Sequence, residues 1–145
     1  MKEDPRDCVF CKMLNGERPV NIIYEDEQVF IFPTSEPLHP GHILLVPKKH
    51  ADKLADLDDE CAKHLLLLAK KFSGILKDTI YKPDGINYLI NEGTAAGQEV
   101  FHVHLHIVPR MNNDGATIKL DAKKHLVRQE PTAMKAVAEE YRKHL

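Results

Sequence analysis

Phe101-His102-Val103-His104-Leu105-His106-Ile107-Val108 alternates histidine with apolar residues. In an extended chain, residues two apart share a face at a rise of about 3.3 Å per residue, so His102, His104 and His106 form one row. Val103, Leu105 and Ile107 face the other way. The pattern predicts a strand with one face for a core and the other for imidazole. Three of the chain's nine histidines fall in this perfect alternation, which separates the segment from ordinary solvent-facing polar residues.

Outward from that strand, the rest of the chain reads as a sheet with helices. Asn21-Ile22-Ile23-Tyr24 and Val29-Phe30-Ile31-Phe32 predict a hairpin across the acidic turn Glu25-Asp26-Glu27. Ile43-Leu44-Leu45-Val46 lies between Pro40-Gly41 and Pro47, and Ile86, Tyr88 and Ile90 alternate after Pro83-Asp84-Gly85. A short helix runs from Val9 to the stop signal Asn15-Gly16. The long helix starts near Asp58, with Cys61, Leu65, Leu68, Phe72 and Ile75 on its core face. A final helix from Pro131-Thr132 is expected to bury Met134, Val137, Ala138 and Tyr141. The order predicts an α+β fold: an antiparallel sheet of about five strands, one long helix and a C-terminal helix. With no repeat or linker, residues 1–145 are expected to form a single domain.

Composition sets the setting. Hydrophobic residues make up 43% and charged residues 29%, and a net charge of -2 offers no attraction to nucleic acid or membrane. The polar N-terminus and the absence of a run of about 18 apolar residues make the cytoplasm the expected compartment. Of the three cysteines, Cys61 falls on the apolar helix face, whereas Cys8 and Cys11 form a C-x-x-C pair that suggests a metal site or free thiols. His39, His64, His125 and His144 have no ligand spacing and are expected at the solvated surface.

Two chemistries suit the histidine row: a metal site, or attack on phosphorus by a neutral imidazole. Hydrolytic metal sites usually add carboxylates, and none is interleaved here. The nearest acid is Glu99, three residues before the row, which favours nucleophilic catalysis.

His102 through Val108 resembles the signature of the histidine triad family. Asn91-Glu92-Gly93, Gly97-Gln98, Pro40-Gly41-His42, Pro47-Lys48-Lys49-His50 and the segment from Cys8 to Tyr24 extend the likeness, so that residues 8–110 resemble a bacterial branch of that family. The resemblance implies a nucleotidyl hydrolase or transferase acting on phosphoramidates or dinucleoside polyphosphates. His104 would be the nucleophile forming a nucleotidyl-histidine intermediate, with His42 and His106 beside the phosphate. Asn91 and Gln98 would hydrogen-bond phosphate oxygens or the leaving group. It also implies a structural zinc on Cys8, Cys11, His50 and His102, no catalytic cofactor, and a homodimer. The competing readings are the same mechanism on a non-nucleotide substrate, a low-turnover nucleotide-binding or scaffold protein, and a His-ligated metal hydrolase.

Two positions depart from the family pattern. Thr34 stands where many members carry an aspartate that grips the ribose, which predicts a weaker hold on ribonucleosides. Glu99 stands where members commonly carry Ser or Thr, so that substrate-binding position holds either a general acid or a side chain turned outward.

Overall fold

The computed structural model describes residues 4–115 and 130–145. Their strands are β1 (Tyr24–Glu25), β2 (Val29–Pro33), β3 (Ile43–Pro47), β4 (Gly85–Leu89) and β5 (Leu105–Arg110). They form an antiparallel sheet in the order β1-β2-β3-β5-β4, the α+β architecture expected from the sequence.

Each face of this sheet has its own cover. On one, Val29, Ile31, Leu45, Leu105 and Ile107 pack against Leu65, Leu68, Phe72 and Leu76 of the long helix α2 (Asp59–Asp78). On the other, Phe30, Phe32, Leu44 and Val46 meet Cys8 and Phe10 of the N-terminal segment, which includes α1 (Val9–Leu14). Burial on both faces explains why β2 is a continuous apolar run rather than an alternating one. Each such large side chain contributes about 1.5–3 kcal/mol by leaving water.

The Asp58 carboxylate caps α2 by accepting the Cys61 backbone N–H at 2.9 Å. Cys61 is buried as expected, but Ile75 is 45% exposed and Leu76 takes the inward position. The buried stripe continues from Phe72 by a step of four, which carries Ile75 round to the solvent side.

Three further expectations need correction. The first strand is short, Tyr24–Glu25 rather than Asn21–Tyr24, and Ile22 and Ile23 are exposed. The histidine segment joins the ladder only from Leu105, because the Val103 N–H bonds to the Ala51 carbonyl and the Pro47 carbonyl is taken by the His102 ring. Its alternation survives, since Val103 remains in the α2 core while His102 and His104 face Phe10. The C-terminal helix α3 (Pro131–Arg142) forms, but Met134, Val137 and Tyr141 are exposed and Ala138 is only half-buried. Amphipathic spacing identified a face and not a partner for it.

His64 is not a free surface group. It bonds to Asp26 at 2.6 Å, joining α2 to the β1–β2 turn, while His39 and His144 have only local contacts and His125 lies outside the described residues. Asp26 also accepts from the Gln28 and Val29 amides at 2.8 Å and the Tyr24 hydroxyl at 2.9 Å. Burial alone would raise this carboxyl, but the bonds from His64, the two amides and Tyr24 outweigh it and hold it well below the usual carboxylate range. A group depressed in this way stabilises the fold above its unfolded pKa and loses that contribution as pH falls. Asp26→Ala is therefore expected to lower the unfolding free energy by about 2 kcal/mol at pH 7. Urea titrations should show the gap to wild type narrowing below about pH 4.

Candidate active site and metal centre

On the face opposite α2, β3 and β5 bring two histidines together. Leu44 pairs with His106, and His42, two residues before Leu44 on the same face, is diagonal to it. Nε2 of His42 lies 2.9 Å from Nδ1 of His106. Hydrogen-bond direction assigns the protons. The Leu38 backbone N–H donates to Nδ1 of His42 at 3.1 Å, so the neutral ring carries its proton on Nε2 and donates to Nδ1 of His106. His106 then carries its proton on Nε2, an atom that is buried and has no hydrogen-bond partner among the described residues.

His104 is oriented separately. Its Nδ1–H donates to the His102 carbonyl at 2.7 Å, which leaves the Nε2 lone pair free. Phe10 packs edge-on against this ring at 5.2 Å between centroids, and His106 lies 4.8 Å away. Burial pushes His42, His104 and His106 below the ordinary histidine value, His106 to about 4 with further help from its neighbours His104 and His42. All three rings are therefore neutral at pH 7.

These rings open onto a cavity of about 690 Å³, within the usual size for a small-molecule site. Asn91, Thr34 and Glu99 line it with His42, His104 and His106. Gln98 does not reach the wall: it is buried behind it, its amide accepting from Gly93 and donating to the carbonyls of Asp52 and Val100. The side chain that the family resemblance would set on phosphate oxygens or the leaving group here holds the loop that carries Glu99.

A second cluster lies behind the histidine segment. Cys8 Sγ is 3.4 Å from His102 Nδ1, Cys11 Sγ is 3.4 Å from His50 Nδ1 and 3.7 Å from His102 Nδ1, and the four ligand atoms fall within 4.8 Å of one another. Tetrahedral zinc, with bonds of about 2.3 Å to sulfur and 2.0–2.1 Å to nitrogen, needs ligand separations of roughly 3.3–3.8 Å. The ring protons also fit. His102 donates from Nε2 to the Pro47 carbonyl at 2.7 Å and His50 from Nε2 to Asp52 at 3.1 Å, so both Nδ1 lone pairs face the thiols. The cluster suits zinc in donor type and outer hydrogen bonds, and the three sulfur–nitrogen separations given above fall in the tetrahedral range.

Sequence reading missed the supporting groups. Asp52 is signalled by His50-Ala51-Asp52, a carboxylate two residues from a ligating histidine, but the Leu38 amide, the Pro47 carbonyl and Phe10 carry no such mark.

The HIT domain model matches residues 15–113. The chain belongs to the histidine triad family. An uncharacterised HIT-like protein of Borreliella burgdorferi is 43% identical over 83% of this chain and 87% of its own length. The adenylylsulfatase HINT3 of Arabidopsis thaliana is 35% identical over 91% of this chain and 66% of its own. A zinc-bound histidine triad protein of Mycobacterium smegmatis superposes with a TM-score of 0.74 at 34% identity, covering 88% of this chain and 86% of that one. Among the described residues, no helix is long and apolar enough to cross a membrane.

The histidine triad site carries a pH signature in stability. A histidine held neutral by burial takes up its proton less readily in the folded chain than in the unfolded one. Between about pH 6.5 and about 4 the unfolded state therefore binds the extra proton, and stability is lost as pH falls through that window. His106→Asn should flatten that part of the profile. Urea midpoints at pH 7, 5.5 and 4.5 for both proteins check this, the variant losing less on acidification than wild type.

Proposed function

We propose that the protein is a nucleotidyl hydrolase or transferase that attacks the α-phosphate of a phosphoramidate or dinucleoside polyphosphate with Nε2 of His104. The observation that carries this reading is the bond from His104 Nδ1–H to the His102 carbonyl, which turns the free lone pair of a neutral, buried ring outward. In this reading Nε2 forms a bond to phosphorus as the bond to the leaving group breaks, and water then cleaves the phosphorus–nitrogen bond and restores the imidazole. The unpartnered Nε2–H of His106 donates to a phosphate oxygen, held in that tautomer by His42. Asn91 supplies a further polar contact on the wall, while Gln98 acts by supporting the loop. Membership in a family that includes an adenylylsulfatase supports the reaction class.

Thr34 on the cavity wall favours a second reading, the same reaction on a phosphorylated substrate that is not a nucleotide. A hydroxyl grips a ribose less firmly than a carboxylate. The exposed Leu66 and Leu67 of α2, and Tyr88 and Ile90 beside the open edge at β4, support a symmetric homodimer.

Zinc on Cys8, Cys11, His50 and His102 would supply a cross-link between the N-terminal segment and the residue preceding the nucleophile by two. The protein purified without chelators is expected to contain about one zinc per chain, and Cys8→Ser or Cys11→Ser should lower both zinc content and melting temperature. Metal analysis and thermal melts read this, and metal-free wild type of full stability would defeat it.

His104→Asn is expected to lower hydrolysis of an adenosine phosphoramidate by about a thousandfold or more while leaving the melting temperature near that of wild type. Single-turnover assays with mass spectrometry of the quenched enzyme test this. A phosphorus adduct on His102 or His106, or undiminished turnover by the variant, would overturn the assignment.

A further inference from the structure

We infer that the cavity selects leaving groups that carry positive charge, with Glu99 as the determinant. This rests on the hydrolase reading above and concerns what departs from phosphorus.

Among the described residues, the cavity wall holds two acidic side chains, Glu36 and Glu99, and no lysine or arginine. Phosphate-handling sites ordinarily place cationic side chains around the phosphoryl group. Here the polar groups beside the reacting position are three neutral imidazoles and an amide, so no described residue on the wall offsets the charge of a second anion. Sulfate or a polyphosphate tail would add to the negative charge already brought by the α-phosphate and meet a carboxylate. A leaving group bearing an ammonium would meet the opposite sign.

Glu99 is built to face this space. It follows Gly97, whose backbone is left-handed at φ +82°, and Gln98, whose buried amide is tied to Gly93, Asp52 and Val100. Gln98 points inward and is anchored on three sides, and the next residue, Glu99, lines the cavity five residues before His104. The Glu99 carboxylate has no hydrogen bond or ion pair to any described residue. No cation among the described residues neutralises it, and a ligand is free to do so. Glu36 is placed differently. It lies two residues beyond Thr34 on the β2–β3 connection, the part of the wall that the family resemblance assigns to the sugar.

The test uses three adenosine 5′-phosphoramidates whose leaving amines have equal length and end in an ammonium, a hydroxyl or a carboxylate. Wild type is expected to give kcat/KM values that fall in that order, with about tenfold or more between the ends. An exposed carboxylate about 5 Å from a unit charge accounts for a few-fold to a hundredfold effect between water-like and surface-like screening. The end groups also alter the intrinsic reactivity of the amines, but that difference is the same for every enzyme variant. The decisive quantity is thus the change in the ammonium-to-carboxylate ratio between wild type and Glu99→Gln, which should collapse to within about threefold. Glu99→Asp should retain most of the preference. Raising salt should shrink the wild-type ratio and leave that of Glu99→Gln unmoved.

A flat or reversed series in wild type, or adenylylsulfate hydrolysed as well as the ammonium substrate, would overturn the charge preference while leaving the hydrolase reading intact. A preference that survives Glu99→Gln, or one erased only by Glu36→Gln, would overturn the assignment to Glu99. If none of the three substrates turns over, the hydrolase reading falls and the inference falls with it.

Discussion

One residue, His102, bears on every part of the site. Its Nδ1 faces both thiols of the Cys-x-x-Cys pair, its Nε2 donates to the carbonyl that ends β3, and its own carbonyl fixes the ring of His104. These three bonds leave it no freedom, and it is fully buried beneath Phe10. The N-terminal segment, the sheet and the ring of His104 are thereby joined through a single residue. Loss of that ring would free the first segment from the sheet and loosen the backbone whose carbonyl sets the tautomer of His104. A metal on Nδ1 would stiffen the same joint, because its ligands come from α1, from the turn after β3 and from the approach to β5.

Charge is managed around this joint by burial rather than by pairing. The three cavity imidazoles lose water and so stay neutral, and neutral rings have one donor and one acceptor each. The backbone decides which is which. The Leu38 amide sets the direction of the relay through His42 to His106, and the His102 carbonyl sets that of His104. The result is one unused lone pair, on His104, and one unused N–H, on the buried Nε2 of His106, on adjacent rings of the cavity wall, the pair of functions that attack on a phosphoryl group requires. Neither function needs a lysine or arginine, and the charged side chains among the described residues of the cavity wall are the acids Glu36 and Glu99.

Several expectations failed in instructive ways. Gln98 shares the loop motif of the family, yet its amide is consumed by three backbone groups, so its effect on the site passes through Glu99 and Gly93. The alternating histidines promised a strand from Phe101, but ladder bonding needs free carbonyls opposite, and Pro47 gives its carbonyl to a ring. His64 lacked any ligand spacing and still became half of the tie between α2 and the first hairpin, because its partner Asp26 is 38 residues away. The C-terminal helix has the spacing of a packed element and exposes it.

Sequence by itself determined the kinds of elements and the residue types that meet at the site. Alternation and 3.6-residue spacing are local properties, so the strands, α2 and the two-faced histidine row were legible, as was the Cys-x-x-Cys pair whose thiols lie one helical turn apart. Tertiary structure alone decided what each group does with its second hydrogen-bonding position. Whether an imidazole is a nucleophile, a donor or a metal ligand depends on which of its nitrogens is already occupied, and the occupants are the Leu38 amide, the Pro47 and His102 carbonyls and Asp52. Main-chain groups are the same at every residue, so no pattern of side chains announces which of them will be close.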